Sequence, residues 1–194
     1  MSLALCSFAS GSSGNCYLVK TEKTAILIDA GITSKKILRE LKRTNTSPEM
    51  VQALFLTHEH QDHIIGARVL MKHINNAACY ASKGTFEQAI NRDKYRQHEF
   101  EEEISVERRI TIAPNEEVPI GDLMVRAFRT SHDAAEPYSF HICSGARRIA
   151  LITDTGVVTE EMLDYTSDAD ILILESNHDT DLLRMGRYHP SLKK

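Results

Sequence analysis

The apolar run Val51 to Leu56 leads straight into Thr57-His58-Glu59-His60-Gln61-Asp62-His63. Few features constrain a fold more, because three imidazoles and a carboxylate within six positions must share one environment at the end of a buried strand. Neutral imidazole and carboxylate are the usual ligands of zinc and related divalent ions, and three that converge leave a position open for an activated water. Most histidines are surface or core residues without a ligand role. The spacing, not the nine histidines of the chain, points to a metal.

With 194 residues, 42% hydrophobic and 26% charged, the chain has the composition of one ordinary globular domain, and residues 1–194 are expected to form it. A net charge of −4 gives no global reason to bind nucleic acid, so such binding needs a local basic patch. The candidates are Arg92, Lys94, Arg96, Arg108, Arg109, Arg147 and Arg148, with Tyr95 available for base stacking, although charged runs are usually solvated faces. Cys6, Cys16, Cys79 and Cys143 form no CxxC pair and read as reduced thiols. The start Met-Ser-Leu-Ala-Leu-Cys-Ser-Phe lacks a basic n-region and reads as a strand, and no apolar run approaches the ~20 residues of a membrane span. A cytoplasmic location is expected.

Leu3 to Phe8 and Cys16 to Thr21 flank a turn-rich Ala9-Ser10-Gly11-Ser12-Ser13-Gly14-Asn15, and Ala25 to Ile28 is a buried strand ending in Asp29-Ala30-Gly31. Thr33 or Ser34 is placed to cap a helix carrying Ile37, Leu38 and Leu41 on one face. Ile64 to Ile74 has helical spacing, which puts Asp62 and His63 near a helix N-terminus. Between Ala78 and Glu117 the pattern weakens, with a helix expected over Thr85 to Ile90. Leu123 to Phe128, Tyr138 to Cys143 and Arg148 to Thr153 read as a meander, followed by a helix over Thr159 to Tyr165 and a strand over Ala169 to Glu175.

Strong strands in the second half also end in metal-binding chemistry: Thr130-Ser131-His132-Asp133, Thr153-Asp154-Thr155-Gly156 and Glu175-Ser176-Asn177-His178. Singly, such residues are turn formers or caps. Together with the cluster they form a second line of evidence.

The run His58-x-His60-x-Asp62-His63 resembles the HxHxDH signature of the metallo-β-lactamase fold. Phe8 to Asn15, Ile28-Asp29-Ala30-Gly31, Thr130 to Pro137 and Glu175 to Asp179 are similar to the YycJ/WalJ/VicX group within it. The resemblance implies an α/β (α+β) chain built as an αββα sandwich with a dinuclear site at one edge. It implies His58, His60 and His132 on one metal, Asp62 and His63 on the second, and Asp154 bridging both. The metals are zinc, manganese or iron, holding a hydroxide that Asp62 and Asp154 help to use. Asp29, Ser10, Asn15, Glu175, Asn177 and His178 are expected around the ligands or lining the pocket.

The group's pattern continues beyond Glu175-Ser176-Asn177-His178 to a Gly-His motif that this sequence does not contain before Lys194. The second half of the sandwich and the second metal shell are therefore expected to be incomplete, with one ion held more weakly than the other and a homodimer allowed by exposed apolar surface. His178 and His189 are not assigned to the missing place. The implied activity is phosphodiester hydrolysis, foremost a DNA exonuclease. The alternatives are a hydrolase of a small ester, thioester or cyclic phosphodiester, and a catalytically impaired metal-binding or regulatory protein. β-Lactam hydrolysis is disfavoured because Asp62 belongs to the branch in which that acid is a ligand.

Overall fold

A computed structural model of the chain describes residues 2–92 and 104–175. Two mixed sheets lie face to face. The first takes β1 (Ala4–Ala9), β2 (Cys16–Lys20), β3 (Ala25–Ile28), β4 (Val51–Phe55), β5 (Ala78–Ala81) and β6 (Arg109–Thr111) in sequence order. The second runs β11 (Ile171–Leu174), β10 (Arg147–Ile152), β9 (Tyr138–Ser144), β8 (Leu123–Arg129) and β7 (Glu117–Ile120).

The continuous apolar runs follow from burial on both faces, the condition under which strands lose polar alternation. In β3, Ala25 and Leu27 face the helical layer of α1 (Ser34–Arg43), α3 (Ala67–Met71) and α4 (Lys83–Arg92), while Ile26 and Ile28 face the second sheet. β4 divides likewise, with Leu54 toward the helices and Phe55 against Tyr80 and Phe140 between the sheets. On the far side of the second sheet, Met162 and Tyr165 of α5 (Glu160–Ser167) cover Phe128 and Ile152. The layers are αββα, as expected. Among the described residues, α5 alone supplies the fourth layer.

Several local expectations change. The Ile64 to Ile74 helix is two pieces, α2 (Gln61–Ile64) and α3, parted at Gly66. A Cβ on Gly66 would stand 2.0 Å from the Ile32 carbonyl oxygen, so the chain passes too close to the Asp29 turn for a side chain there. Thr33 is the N-cap of α1 but makes no side-chain capping bond, whereas Thr159 caps α5 by accepting from the Met162 N–H. β5 and β7 fall where the sequence pattern is weak. All four cysteines are free thiols.

β3 and β4 are parallel neighbours, β10 and β11 likewise, and β8 runs in the same direction as β10 because β9 is antiparallel to both. The C-terminal ends of β3 and β4 are joined to the second sheet by the Tyr138 N–H, which donates to the Thr57 carbonyl at 2.9 Å. Gly31 tightens this edge: the Asn15 N–H donates to the Asp62 carbonyl, and the Gly31 N–H donates to the Asn15 carbonyl, both at 2.7 Å. A Cβ on Gly31 would sit 1.6 Å from that Asp62 oxygen. Gly31→Ala is expected to lower stability by about 3 kcal/mol through forced backbone displacement, seen in urea titration as a lower midpoint at unchanged slope.

Candidate metal centre

Thr57 lies two residues past the end of β4 and begins the cluster, and its hydrogen-bond partner Asp29 sits just past β3 in a left-handed turn with φ of +58°. Asp29 is fully buried, and a buried carboxylate must be met by donors. The Thr57 N–H supplies one at 2.8 Å, the Thr57 hydroxyl lies 2.9 Å from Oδ2, and His63 Nδ1 lies 2.7 Å from Oδ2. That last bond fixes the ring of His63 and directs its Nε2 outward, toward Asp154 Oδ2 at 2.8 Å, Asn15 Nδ2 at 3.0 Å and Asp62 Oδ2 at 3.7 Å.

The remaining imidazoles close on the same place. His58 faces the Thr57 hydroxyl with Nδ1 at 3.0 Å and turns Nε2 to within 3.1 Å of His60 Nδ1. His132, brought by the turn after β8, puts its Nε2 3.1 Å from the same His60 nitrogen. Ligand atoms of His58, His60 and His132 form one group within 4.8 Å, and those of His58, His63 and Asp154 form another. His58 belongs to both. Asp154, in a left-handed turn after β10 with φ of +47°, is held by its N–H to Glu175 Oε2 at 2.7 Å.

The protonation pattern suits a cation. Burial, reinforced by the charges of His63 and His132, pushes His58 down to about 2, so it stays neutral with a lone pair to offer. Burial also moves His132 down. For His63 burial works the same way, but Asp29 and Asp154 outweigh it and push the ring up to about 10. Burial likewise opposes ionisation of Asp154, yet hydrogen bonding with His63 and Glu175 holds its carboxyl well below the usual range. The field that keeps a proton on His63 is the field that would hold a cation in its place. Asp154 Oδ2 is buried and faces His63 Nε2 at 2.8 Å and His58 Nε2 at 3.9 Å. A buried carboxylate oxygen among imidazole nitrogens about 3 Å apart is a donor set that fits a divalent metal of the zinc, manganese or iron kind.

Other expected residues divide. Asn15 and Glu175 are at the cluster, as described. The Ser10 hydroxyl accepts from the Tyr17 hydroxyl at 2.9 Å on the exposed turn after β1. Asn177 and His178 lie outside the described residues, as do Lys94, Tyr95, Arg96 and His189. Three of the arginines named as a basic patch are engaged within the fold. Arg108 donates to the carbonyls of Met71, Ile74 and Ala77, holding the end of the helical layer, while Arg147 pairs with Asp170 and Arg148 with Asp168. Sequence reading did not single out Thr57, whose hydroxyl joins Asp29 to two histidine rings. It also passed over Glu59 and Glu136. Buried Glu59 accepts from the Ala135 N–H, and Glu136 accepts from the Gly84 N–H and the Tyr138 hydroxyl, so both fasten the loop that carries His132. The only signal for Glu59 was a charged residue between two ligands.

Known proteins resemble this chain in sequence and in fold. The chain is 36% identical over 199 residues to "Exodeoxyribonuclease YycJ" of Bacillus anthracis, covering all of this chain and 70% of that protein. It is 35% identical over 186 residues to "Exodeoxyribonuclease WalJ" of Streptococcus pneumoniae serotype 2, covering 96% of this chain and 66% of that one. The chain thus spans about two thirds of these relatives' length. Among solved structures, Zn(2+)-bound PqqB from Methylobacterium extorquens superposes with a TM-score of 0.68 at 22% identity, over 90% of this chain and 64% of that one, which bears on the fold alone. The Metallo-beta-lactamase superfamily model matches residues 9–186, and with the strand-end histidines and the αββα layers in place, the chain belongs to that superfamily.

Proposed function

We propose that the chain is a metal-dependent phosphodiesterase that removes nucleotides from an end of DNA. The convergence of His58, His60, His63, His132 and Asp154 on one edge of the sandwich carries this reading. The likeness to two proteins named exodeoxyribonucleases supplies the substrate class. In this reading His58, His60 and His132 would hold one ion and Asp62 and His63 a second, with Asp154 available to both. When bound, divalent cations there would supply an activated water at neutral pH and neutralise charge at the attacked phosphate.

The protein's own contribution is preorganisation. Asp29 fixes the ring of His63, burial keeps His58 neutral, and the Glu175 bond sets the turn that presents Asp154. Asp62, half-exposed, stands at the rim beside His63. There it orients incoming water together with Asp154. A cytoplasmic setting, in which the four free thiols stay reduced, belongs to the same reading.

A small phosphodiester is the second reading, favoured by the engagement of Arg108, Arg147 and Arg148 within the fold. Salt separates the two, since turnover of DNA held through phosphate contacts falls steeply as salt rises and that of a small diester does not.

End-labelled single- and double-stranded DNA incubated with the chain in manganese, zinc or iron should shorten stepwise from one end and be spared by a chelator. Cleavage only at internal positions, or none under any metal, would overturn the assignment. His60→Ala and Asp62→Ala should each reduce this activity by more than about 100-fold with unfolding temperature little changed, whereas unaltered rates would remove both residues from the site. Asp29→Asn should weaken metal binding by roughly 10–100-fold in competition with a chromogenic chelator, because the amide no longer accepts from both Thr57 and His63.

A further inference from the structure

Beside Asp62 lies a cavity of about 300 Å³ whose wall, among the described residues, includes no other member of the metal cluster. Its wall includes Ser13, Gly31, Ile32, Lys36, Asp62 and Ile65. Resting on the nuclease reading above, we propose that this cavity is a nucleotide subsite: it receives the nucleotide of a DNA strand adjoining the attacked phosphate, with the base against Ile32 and Ile65 and the phosphate at Lys36.

The chemistry of the wall selects this occupant. Ile65 leaves 58% of its surface exposed directly after the metal cluster and α2, and Ile32 stands half-buried across from it. Two branched apolar side chains at one opening offer a sequence-tolerant surface for a base, since contact with its face does not read its edges. Lys36 is exposed in the first turn of α1, which contains no acidic residue, and it makes no ion pair among the described residues. This sets it apart from Arg147 and Arg148, whose charges are committed to aspartates. Among the described residues Asp62 is the only carboxylate of the wall, and it is assigned to the metal.

The subsite is also held at a fixed distance from the chemistry. Gly31 forms part of its floor because no Cβ fits against the Asp62 carbonyl, and the bonds linking Gly31, Asn15 and Asp62 tie that floor to the Asp62 loop. A strand whose base and phosphate are seated here has its neighbouring phosphate beside Asp62. Placement of this kind is how a site acting on one bond at a time sets register.

The test compares Lys36→Ala, Lys36→Arg and Ile65→Ser with the unaltered, metal-loaded chain on single-stranded DNA and on bis(p-nitrophenyl) phosphate, a diester with no adjoining nucleotide. Binding of a fluorescent oligonucleotide is read in parallel by anisotropy across salt. All variants should keep the rate on the small diester. On DNA, Lys36→Ala should raise KM about 10-fold with kcat little changed and lower the salt slope of binding by about one, with Lys36→Arg restoring both. Ile65→Ser should weaken binding at unchanged slope. If the unaltered chain degrades DNA and the variants match it, or if they lose both substrates alike, the subsite is overturned while the nuclease reading stands. If the unaltered chain hydrolyses only the small diester, the nuclease reading falls and this inference with it.

Discussion

Everything at the site depends on one buried carboxylate. Asp29 has no exposed surface, and a lone carboxylate so placed would cost several kcal/mol. It is tolerated because the Thr57 amide, the Thr57 hydroxyl and the His63 ring all face it within 3.1 Å. Those donors belong to the ligand-bearing segment, so satisfying Asp29 is the same event as positioning His63. The Thr57 hydroxyl also meets the Nδ1 atoms of His58 and His63, which passes the constraint to both rings. Stability and ligand geometry are thus set by a single network.

The network forms because of strand direction. β3 and β4 are parallel, so Asp29 and Thr57 emerge side by side at the same edge of the first sheet. β8 and β10 deliver His132 and Asp154 from the second sheet, and the Gly156 N–H, donating to the Ser131 carbonyl at 2.8 Å, fastens those two turns together. The left-handed conformations at Asp29 and Asp154 redirect the chain just past the last strand residue. Asp accepts that conformation more readily than most residues. Two sheets therefore close on one point without any ligand lying inside a strand.

Periodicity was enough to read the buried strands, and the residues at their ends marked candidate ligands; the αββα class and the grouping of His58, His60, His63, His132 and Asp154 at one site came from the resemblance to the metallo-β-lactamase fold. These properties are local or follow from a shared strand direction. What the sequence concealed depends on contacts distant along the chain. Nothing around Arg108 reveals that its guanidinium caps carbonyls more than thirty residues earlier, so it reads as an available cation when it is a structural clamp. The break at Gly66 is invisible to helical spacing because it arises from the approach of the Ile32 carbonyl. Thr57 and Glu59 were overshadowed by the histidines around them, although their hydrogen bonds hold the histidines in place.

The same geometry bears on stability. His60 Nδ1 lies 3.1 Å from the Nε2 of both His58 and His132, and since one ring nitrogen either donates once or accepts once, one of the two contacts is left poorly paired without a cation, a cost of about 1–3 kcal/mol. The folded chain accepts that cost because the sheets and helices around the site are densely buried on both faces of β3 and β4. A cation at the cluster removes the cost and binds only where the rings are already gathered, so metal binding and folding are linked in one direction. The residues that most strongly favour a metal are those whose geometry is least favourable without one.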